Sequence, residues 1–429
     1  MTPRVIVIGA GAAGLMAAGR AAELGAEVLL LEKTVEAGQK ILVSGKSRCN
    51  LSNSAPRAEF LKHYGANWQF LRNAYYRFFR EELLALLARY GVQTQVERGG
   101  RIFPTSGRAE DVRAALLRYA TSNGARIRYQ NPVQRILLDG DKVRGVAARR
   151  GKQIPAEAVI LAAGGASWPK TGSTGDGYRL AQAVGHTIVP LRPALVPLVV
   201  REKGRAKALQ GVSLRNIRCR FLTRDVNGHE EPLAPPYPVP PTGEMLFTHF
   251  GVSGPLILTM SLAAVDALRA RKQLFLFIDL KPGMSVEEVN RRLQREFEQR
   301  PQQHLHNLLH SWIPNALAEE LAKISHLGPE RPVHSLRASE RAVLVRLLKG
   351  FRWEITGSLP LEAGMVTAGG VELTEINPRT FASKLVKGLY IVGETLDIAA
   401  DTGGFNLQAA FSGGYLAGED SSQRSKVES

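Results

Sequence analysis

Val5-Ile6-Val7-Ile8-Gly9-Ala10-Gly11-Ala12-Ala13-Gly14 is the stretch that decides the fold. An apolar run enters a glycine turn, a helix follows, and Glu32 ends a second apolar run. Strand, glycine turn, helix, strand and acid in that order form the dinucleotide-binding fingerprint. Gly9 permits the tight turn, Gly11 lets the backbone approach a pyrophosphate, and Gly14 lets helix and strand pack closely. The helix that starts there presents unpaired N–H groups and a positive dipole end to phosphates. Glu32 would accept hydrogen bonds from an adenosine ribose and would repel a 2′-phosphate. A bare GxGxxG occurs by chance in many loops, but here every flanking feature is in place.

Working outward, the chain has 429 residues, enough for two or three domains with a substantial core. No stretch is long and apolar enough to span a bilayer. The nearest, Leu256 to Leu268, is short and contains Asp266, so it predicts a buried helix. The fingerprint begins at Val5, which leaves no room for a signal peptide. Cys49 and Cys219 are the only cysteines and neither sits in a CxxC pair. That argues against a disulfide framework or structural zinc and fits a reducing cytoplasm. The formal net charge is +17, from 56 basic and 39 acidic residues. Such a balance attracts polyanions and speeds encounter with RNA, DNA or acidic surfaces. No single basic block stands out, so genome composition and solubility account for it equally well.

After Glu32, Gly38 to Asn50 forms a loop. Its Gly45-Lys46-Ser47 is not a phosphate loop, because that motif needs a glycine where Lys40 stands. Gln69 to Tyr90 predicts a helix with Phe70, Ala74, Phe78 and Leu83 or Leu84 along one side. The interleaved Arg72, Tyr75, Tyr76, Arg77, Phe79 and Arg80 suit either an amphipathic helix with core aromatics or a surface that clamps nucleic acid. A helix from about Glu110 to Asn123 precedes short strands near 127–129, 133–138 and 143–149, with a hairpin at Asp139-Gly140. Ala158 to Gly165 reads as a buried strand ending on two glycines, where backbone can crowd a ligand.

From Pro190 the composition changes to short strands. The proline-rich run Pro232 to Pro241 must be extended, cannot be a central strand, and reads as either a lid or a linker. A strand is expected at Phe275–Leu280, and Ser285 with Glu288 makes a capping box for a helix whose Val289, Leu293 and Phe297 recur every four residues. Further helices are expected at His304–Ser311, Asn315–His326 and Ser339–Leu348. No carboxylate or cysteine joins His304, His306 and His310, so a solvated face is expected there and no metal. Gly388 to Glu394 is a strand and turn, and Gly403 to Gln408 opens a final helix through Leu416. The fold class is therefore α/β: a discontinuous, two-dinucleotide-type Rossmann FAD domain carrying a β-rich plus helical insertion. The expected divisions are 1–190 and 351–429 for the nucleotide domain, 191–283 for the β-rich insert and 284–350 for the helical segment.

The chain resembles the BaiN/RdsA-type NAD(P)/FAD-dependent oxidoreductases, also called aminoacetone-oxidase-family FAD-binding enzymes. The resemblance rests on Gly9–Gly14, Gly38–Asn50, Gly100–Pro104, Ala162–Gly177, Gly243–Pro255, Gly364–Gly370 and Gly388–Gly414, spread over nearly the whole length. Many members have Ser-Gly-Gly-Gly-Arg-Cys-Asn where this chain has Ser44-Gly45-Lys46-Ser47-Arg48-Cys49-Asn50. The resemblance implies FAD. Gly9, Gly11, Ala13 and Gly14 would surround its pyrophosphate, and Glu32 with Lys33 would reach the adenosine ribose. Gln39 and Lys40 would lie on its phosphate side, with Ser44, Arg48 and Asn50 on the following loop. Val133 would read the adenine edge through its backbone. Gly164 would lie beside the cofactor, and Gly393 and Glu394 near the ribityl chain. The N–H groups around Asn406 and Leu407 would face the flavin pyrimidine, where a helix start stabilises reduced flavin. No second GxGxxG follows a strand, so NADPH or NADH is expected as a transient donor in the substrate cleft.

Two side chains suit proton donation. Cys49, beside Arg48, is expected to have a lowered pKa or else to be a small buried residue. His249 is either an acid or substrate ligand, or a satisfied structural histidine. The resemblance leaves three functions open. The first is reduction of uridine to dihydrouridine in 23S ribosomal RNA, with the base leaving its stack. The second is a small-molecule reductase or oxidase acting on steroid-type enoyl groups or amines. The third is a flavin-holding RNA-binding or assembly protein. The first is favoured, with ribosomal RNA as partner, no membrane association, and an oligomeric state on which the residues are silent.

Overall fold

The computed structural model describes residues 4–423 apart from positions 226, 237, 240 and 241. The chain divides into two compact units, residues 1–194 with 361–429, and residues 195–360.

The first unit is built on a five-stranded parallel sheet. Its spatial order is Leu389–Ile391, Ala158–Leu161, Arg4–Ile8, Glu27–Leu31 and Arg126–Arg128. Val5 to Ile8 are buried, as a strand covered on both faces requires. The Arg4–Ile8 strand pairs on one side with the strand that follows it through the Ala12–Glu23 helix. On its other side it pairs with the much later Ala158–Leu161 strand. The chain therefore reverses direction of growth at the carboxyl end of Arg4–Ile8, and such a reversal opens a crevice that holds ligands. The Ala12–Glu23 helix packs against the last helix, Phe405–Gln423. Contact is so close that a Cβ at Gly414 would lie 2.3 Å from the Ala13 carbonyl oxygen.

Smaller elements surround this sheet. Two three-stranded antiparallel sheets are present, one of which contains the expected Asp139-Gly140 hairpin. The predicted continuous helix from Gln69 to Tyr90 is instead two helices, Trp68–Arg77 and Arg80–Arg89. The break falls at Phe78 and Phe79, whose extended backbones carry both rings into the core. Burying two adjacent rings on one side is incompatible with helical spacing. Phe70, Tyr75, Phe78 and Phe79 are core residues, whereas Tyr76 is 66% exposed.

The second unit is an antiparallel barrel. Strands Ser213–Arg224, Gly243–Thr248, Gly251–Ser253, Leu198–Val200, Phe351–Ser358 and Gln273–Asp279 follow one another, and the last pairs back with the first. Glu230–Leu233 is an edge strand, which tolerates Pro232, and Tyr237, Pro240 and Pro241 of the proline-rich run lie outside the described residues. The Pro255–Arg269 helix is largely buried, as its apolar run predicts. The capping box at Ser285 forms as expected, with the Glu288 N–H donating to Ser285 Oγ at 3.2 Å and the Ser285 N–H to Glu288 Oε2 at 2.7 Å.

Two divisions drawn from sequence shift. Phe351–Ser358 closes the barrel, so the first unit resumes at 361 rather than 351. The helical segment is also no separate layer, since Val289, Leu293, Leu317 and Leu344 share one core with Phe247, Ile278 and Trp353. The histidine group needs correction as well. Glu330, distant in sequence, lies 2.9 Å from His304 Nδ1 and 3.5 Å from His306 Nδ1. Folding thus supplies a carboxylate. His306 Nδ1 also stands 2.8 Å from the Pro329 carbonyl oxygen, so that nitrogen carries a proton and serves as a hydrogen-bond donor.

Candidate active site

The glycine turn forms the floor of the crevice. Gly9 has φ +98°, and a Cβ at Gly14 would lie 1.8 Å from the Gly9 carbonyl oxygen. Both positions are closed to any side chain. At Gly11, by contrast, a Cβ would meet nothing within 4 Å, so its backbone faces open space. The first helical hydrogen bond runs from the Leu15 N–H to the Gly11 carbonyl, which leaves the preceding N–H groups pointing outward. Open space bounded by bare backbone donors fits a pyrophosphate.

Glu32 is 8% exposed and is held from both sides. The Ala10 N–H donates to Oε2 at 2.7 Å, and the N–H and hydroxyl of Thr34 donate to Oε1 at 2.8 and 2.9 Å. The fingerprint acid is thereby fixed beside the glycine turn. Lys33 turns away to pair with Asp176 at 2.5 Å and with the Thr174 hydroxyl. Asn131 donates its N–H to the Glu32 carbonyl at 2.9 Å and so brings Val133 to this end of the crevice. Neither backbone polar group of Val133 has a partner among the described residues. Free groups of that kind suit reading a base edge.

Gln39 and Lys40 open a five-residue helix. Lys40 Nζ reaches across to Glu394 Oε2 at 2.6 Å and Ser167 Oγ at 2.8 Å. Glu394 Oε1 in turn accepts from the Thr367 N–H at 2.8 Å and from Ser167 Oγ at 3.1 Å. Sequence reading singled out Lys40 and Glu394 separately, and folding joins them in one network. Ser167 and Thr367 were missed because lone hydroxyl residues carry no spacing signal. Gly164, at φ +75°, accepts from the Thr395 hydroxyl at 3.1 Å, and Gly393 has φ +69° beside Ala13.

The Gly45 to Cys49 turn strains the residues at which this chain departs from the Ser-Gly-Gly-Gly-Arg-Cys-Asn pattern. Gly45, Lys46, Ser47 and Cys49 all have φ between +56° and +63°, a region that suits glycine and strains other residues. Lys46 and Ser47 are the two positions at which the family resemblance leads to an expectation of glycine. We expect Ser47→Gly to raise stability by about 0.5 kcal/mol. That figure is the relief of roughly 1 kcal/mol of backbone strain, partly offset by the added freedom of the unfolded chain. Urea unfolding followed by far-UV circular dichroism checks it, and a lower midpoint would contradict the strain.

The lowered thiol pKa expected for Cys49 is overturned. Cys49 is fully buried, and burial pushes its thiol up to about 12 against the opposing hydrogen bond with Ser44. Arg48 does not face it as a free cation. Its guanidinium pairs with Glu97 at 2.8 Å and lies over the Phe103 ring at 4.1 Å. Ser44 caps its own helix by donating to the Ile41 carbonyl at 2.7 Å. Asn50, its amide placed to satisfy both neighbours, donates to the Ser52 carbonyl and accepts from the Gly404 N–H, each at 3.1 Å.

Asn50 thereby anchors the start of the final helix. There the Asn406 amide accepts from the Ala400 N–H at 2.9 Å and donates to the Ala400 carbonyl at 3.0 Å, so it shapes the loop. The first helical bond is from the Gln408 N–H to the Gly404 carbonyl. The N–H groups of Phe405, Asn406 and Leu407 are consequently without partners among the described residues. A second set of outward donors thus exists in the first unit, suited to an electron-rich ring edge. Sequence reading missed His63. Its ring stacks on Phe405 at 3.9 Å, and its Nδ1 lies 3.3 Å from the buried Asp401 carboxylate. An isolated histidine in a loop gives no motif.

His249 belongs to the second unit. It sits exposed in the turn between Gly243–Thr248 and Gly251–Ser253, edge-on to Phe250 at 4.9 Å. Its side chain makes no hydrogen bond among the described residues, so it is not the satisfied structural histidine of the alternative reading.

The crevice thus offers a glycine-lined floor, a fixed acid and two helix starts with free donors, a donor set that fits FAD. Comparison with known proteins agrees. Residues 3–420 match the HI0933-like protein Rossmann domain family. The 3-dehydro-bile acid Δ(4,6)-reductase of Clostridium scindens is 33% identical, covering 98% of this chain and 99% of that protein. The ribosomal RNA dihydrouridine synthase of Haemophilus influenzae is 31% identical, covering 96% of each chain. A 3-ketosteroid-Δ4-(5α)-dehydrogenase from Rhodococcus jostii shares the fold, with TM-score 0.50 at 16% identity over 97% of this chain and 96% of its own. The chain belongs to the HI0933-like Rossmann family and is an FAD-dependent oxidoreductase.

Proposed function

We propose that this protein reduces a carbon–carbon double bond, with uridine in 23S ribosomal RNA, converted to dihydrouridine, as the favoured substrate and NADPH or NADH as the transient donor. Two whole-length relatives are named for reactions of this kind, a bile acid Δ(4,6)-reductase and a ribosomal RNA dihydrouridine synthase. The observation that carries the RNA reading is the charge of +17 on a chain 31% identical to the RNA enzyme. FAD, once reduced by NADPH or NADH, would supply the hydride for C6 of the uracil ring, and a protein acid would deliver the proton to C5. Among this chain's residues, Glu32 and the Gly9–Gly14 turn would hold the adenosine and pyrophosphate end. The Lys40–Glu394 pair would hold the middle, and the Phe405–Leu407 N–H groups would meet the ring.

Cys49 is the proposed proton donor. Burial raises its thiol pKa, so in this role it would act as the neutral thiol and not as a thiolate. We expect Cys49→Ala to retain the yellow cofactor and to slow substrate reduction by about a hundredfold, the usual contribution of a general acid. NADPH oxidation should change little. Stopped-flow absorbance of the two half-reactions checks this, and an unimpaired substrate half-reaction removes Cys49 from the chemistry.

The experiment that tests the substrate is a map of dihydrouridine in 23S RNA from cells with and without this gene. Loss of one modified position is expected, and an unchanged map ends the RNA reading. Small-molecule enoyl reduction is the second reading, favoured by the 33% identity to the bile acid enzyme.

A further inference from the structure

The Trp68–Arg77 helix has one face the flavin chemistry does not use. Phe70, Leu71, Ala74 and Tyr75 are buried, and Trp68, Arg72 and Tyr76 project on the opposite side at successive turns. Trp68 is 37% exposed and Tyr76 is 66% exposed. Single exposed aromatics are ordinary on a protein surface. This pair is different because both rings stand on one stripe, roughly 12 Å apart along the axis, with a cation between them. With Gln69, Arg72 and Asn73 they make up one open face of the helix.

Charge in this region is free to act. Arg72 has no ion pair or hydrogen bond through its side chain among the described residues. The Arg57 guanidinium lies over the Tyr76 ring at 4.6 Å and adds a second cation. Nearby acids are occupied, Glu59 by Lys62 at 2.8 Å and Glu81 by Arg80 at 2.5 Å. This helix is also tied to the loop that carries Gly393 and Glu394. Asn67, the residue before Trp68, donates to the Asp397 carbonyl at 2.7 Å.

We propose that this face is a binding platform for unpaired nucleotides of the RNA substrate, with bases stacked on Trp68 and Tyr76 and the intervening phosphate held by Arg72. The proposal rests on the RNA reading given above. A sequence-tolerant surface of aromatics and arginine holds single strands because every base has a π face and every linkage a charge. Gln69 and Asn73 offer both donors and acceptors to base edges. A target base drawn from its stack needs its flanking nucleotides held open, and a platform fixed to the Gly393 loop would hold them.

The test uses the flavin-loaded protein and a fluorescein-labelled uridine dodecamer, with affinity read by anisotropy at several salt concentrations. Trp68→Ala and Tyr76→Ala should each weaken binding about tenfold with an unchanged salt slope. Trp68→Phe should recover most of the loss. Arg72→Ala should lower the salt slope by about 0.7, one phosphate on a single strand. Flavin absorbance should not move, because none of the three side chains belongs to the flavin crevice, and Trp68→Phe keeps most of the packing of the partly buried Trp68 ring and so separates lost stacking from lost stability. If the native protein binds the dodecamer and the aromatic variants bind equally well, the platform is wrong while the RNA reading stands. If the native protein binds no RNA and the 23S map is unchanged in the deletion strain, both fall. Variants that alter only sedimentation would instead mark a contact between copies and overturn the proposal.

Discussion

Gly14→Ala should yield a colourless protein that melts about 10 °C lower. The added Cβ would lie 1.8 Å from the Gly9 carbonyl oxygen, a contact no real methyl group tolerates. The obstacle is backbone of the turn itself, so no side chain can swing aside. Either the Ala12–Glu23 helix shifts from the Arg4–Ile8 strand or the turn opens, and both spoil the crevice. Over-packing of this severity costs about 3 kcal/mol, which in a unit of this size corresponds to several degrees per kcal/mol. Gly11→Ala is the informative partner. A Cβ there meets nothing within 4 Å of protein, so the apoprotein should melt normally while flavin binding is lost to the intruding methyl. Visible flavin absorbance and calorimetry separate the two. A yellow Gly14→Ala protein with a native midpoint would refute the close approach.

Glu32→Gln should be nearly as damaging as Glu32→Ala. The carboxylate accepts on both oxygens, from Ala10 on one and from Thr34 on the other. An amide presents a donor on one side, so one backbone N–H faces another N–H whichever way the group turns. Leaving a buried donor unmet costs about 1–3 kcal/mol. The ribose contact disappears with it, and FAD affinity should fall about a hundredfold, the equivalent of roughly 3 kcal/mol. Equilibrium dialysis of FAD and urea unfolding read the two losses. If Glu32→Gln matches the native protein in both, the acid is neither a structural anchor nor a ribose ligand.

Much of the architecture was legible because it follows from local rules. Val5 to Gly14 dictates a strand, a turn and a helix through side-chain volume alone, and the Ser285 capping box is satisfied within four residues. The failures share a cause. The Phe78-Phe79 break was invisible because it depends on what those rings pack against, not on their spacing. Phe351–Ser358 was given to the wrong unit since its partners, Leu198–Val200 and Gln273–Asp279, come from distant sequence. The thiol of Cys49 was expected to feel Arg48, its neighbour in sequence, yet Glu97 and Phe103 occupy that guanidinium.

The sequence by itself determined a dinucleotide-binding fingerprint at the end of the first strand, because glycine spacing, an acid and a helix start are encoded within some thirty residues. Only the tertiary structure decided how the crevice is completed. Lys40 meets Glu394, Asn50 holds Gly404, and Asp401 pairs with His63, each across more than three hundred residues. Pairings at that separation depend on which strands become neighbours in the sheet, and no local pattern of side chains specifies that.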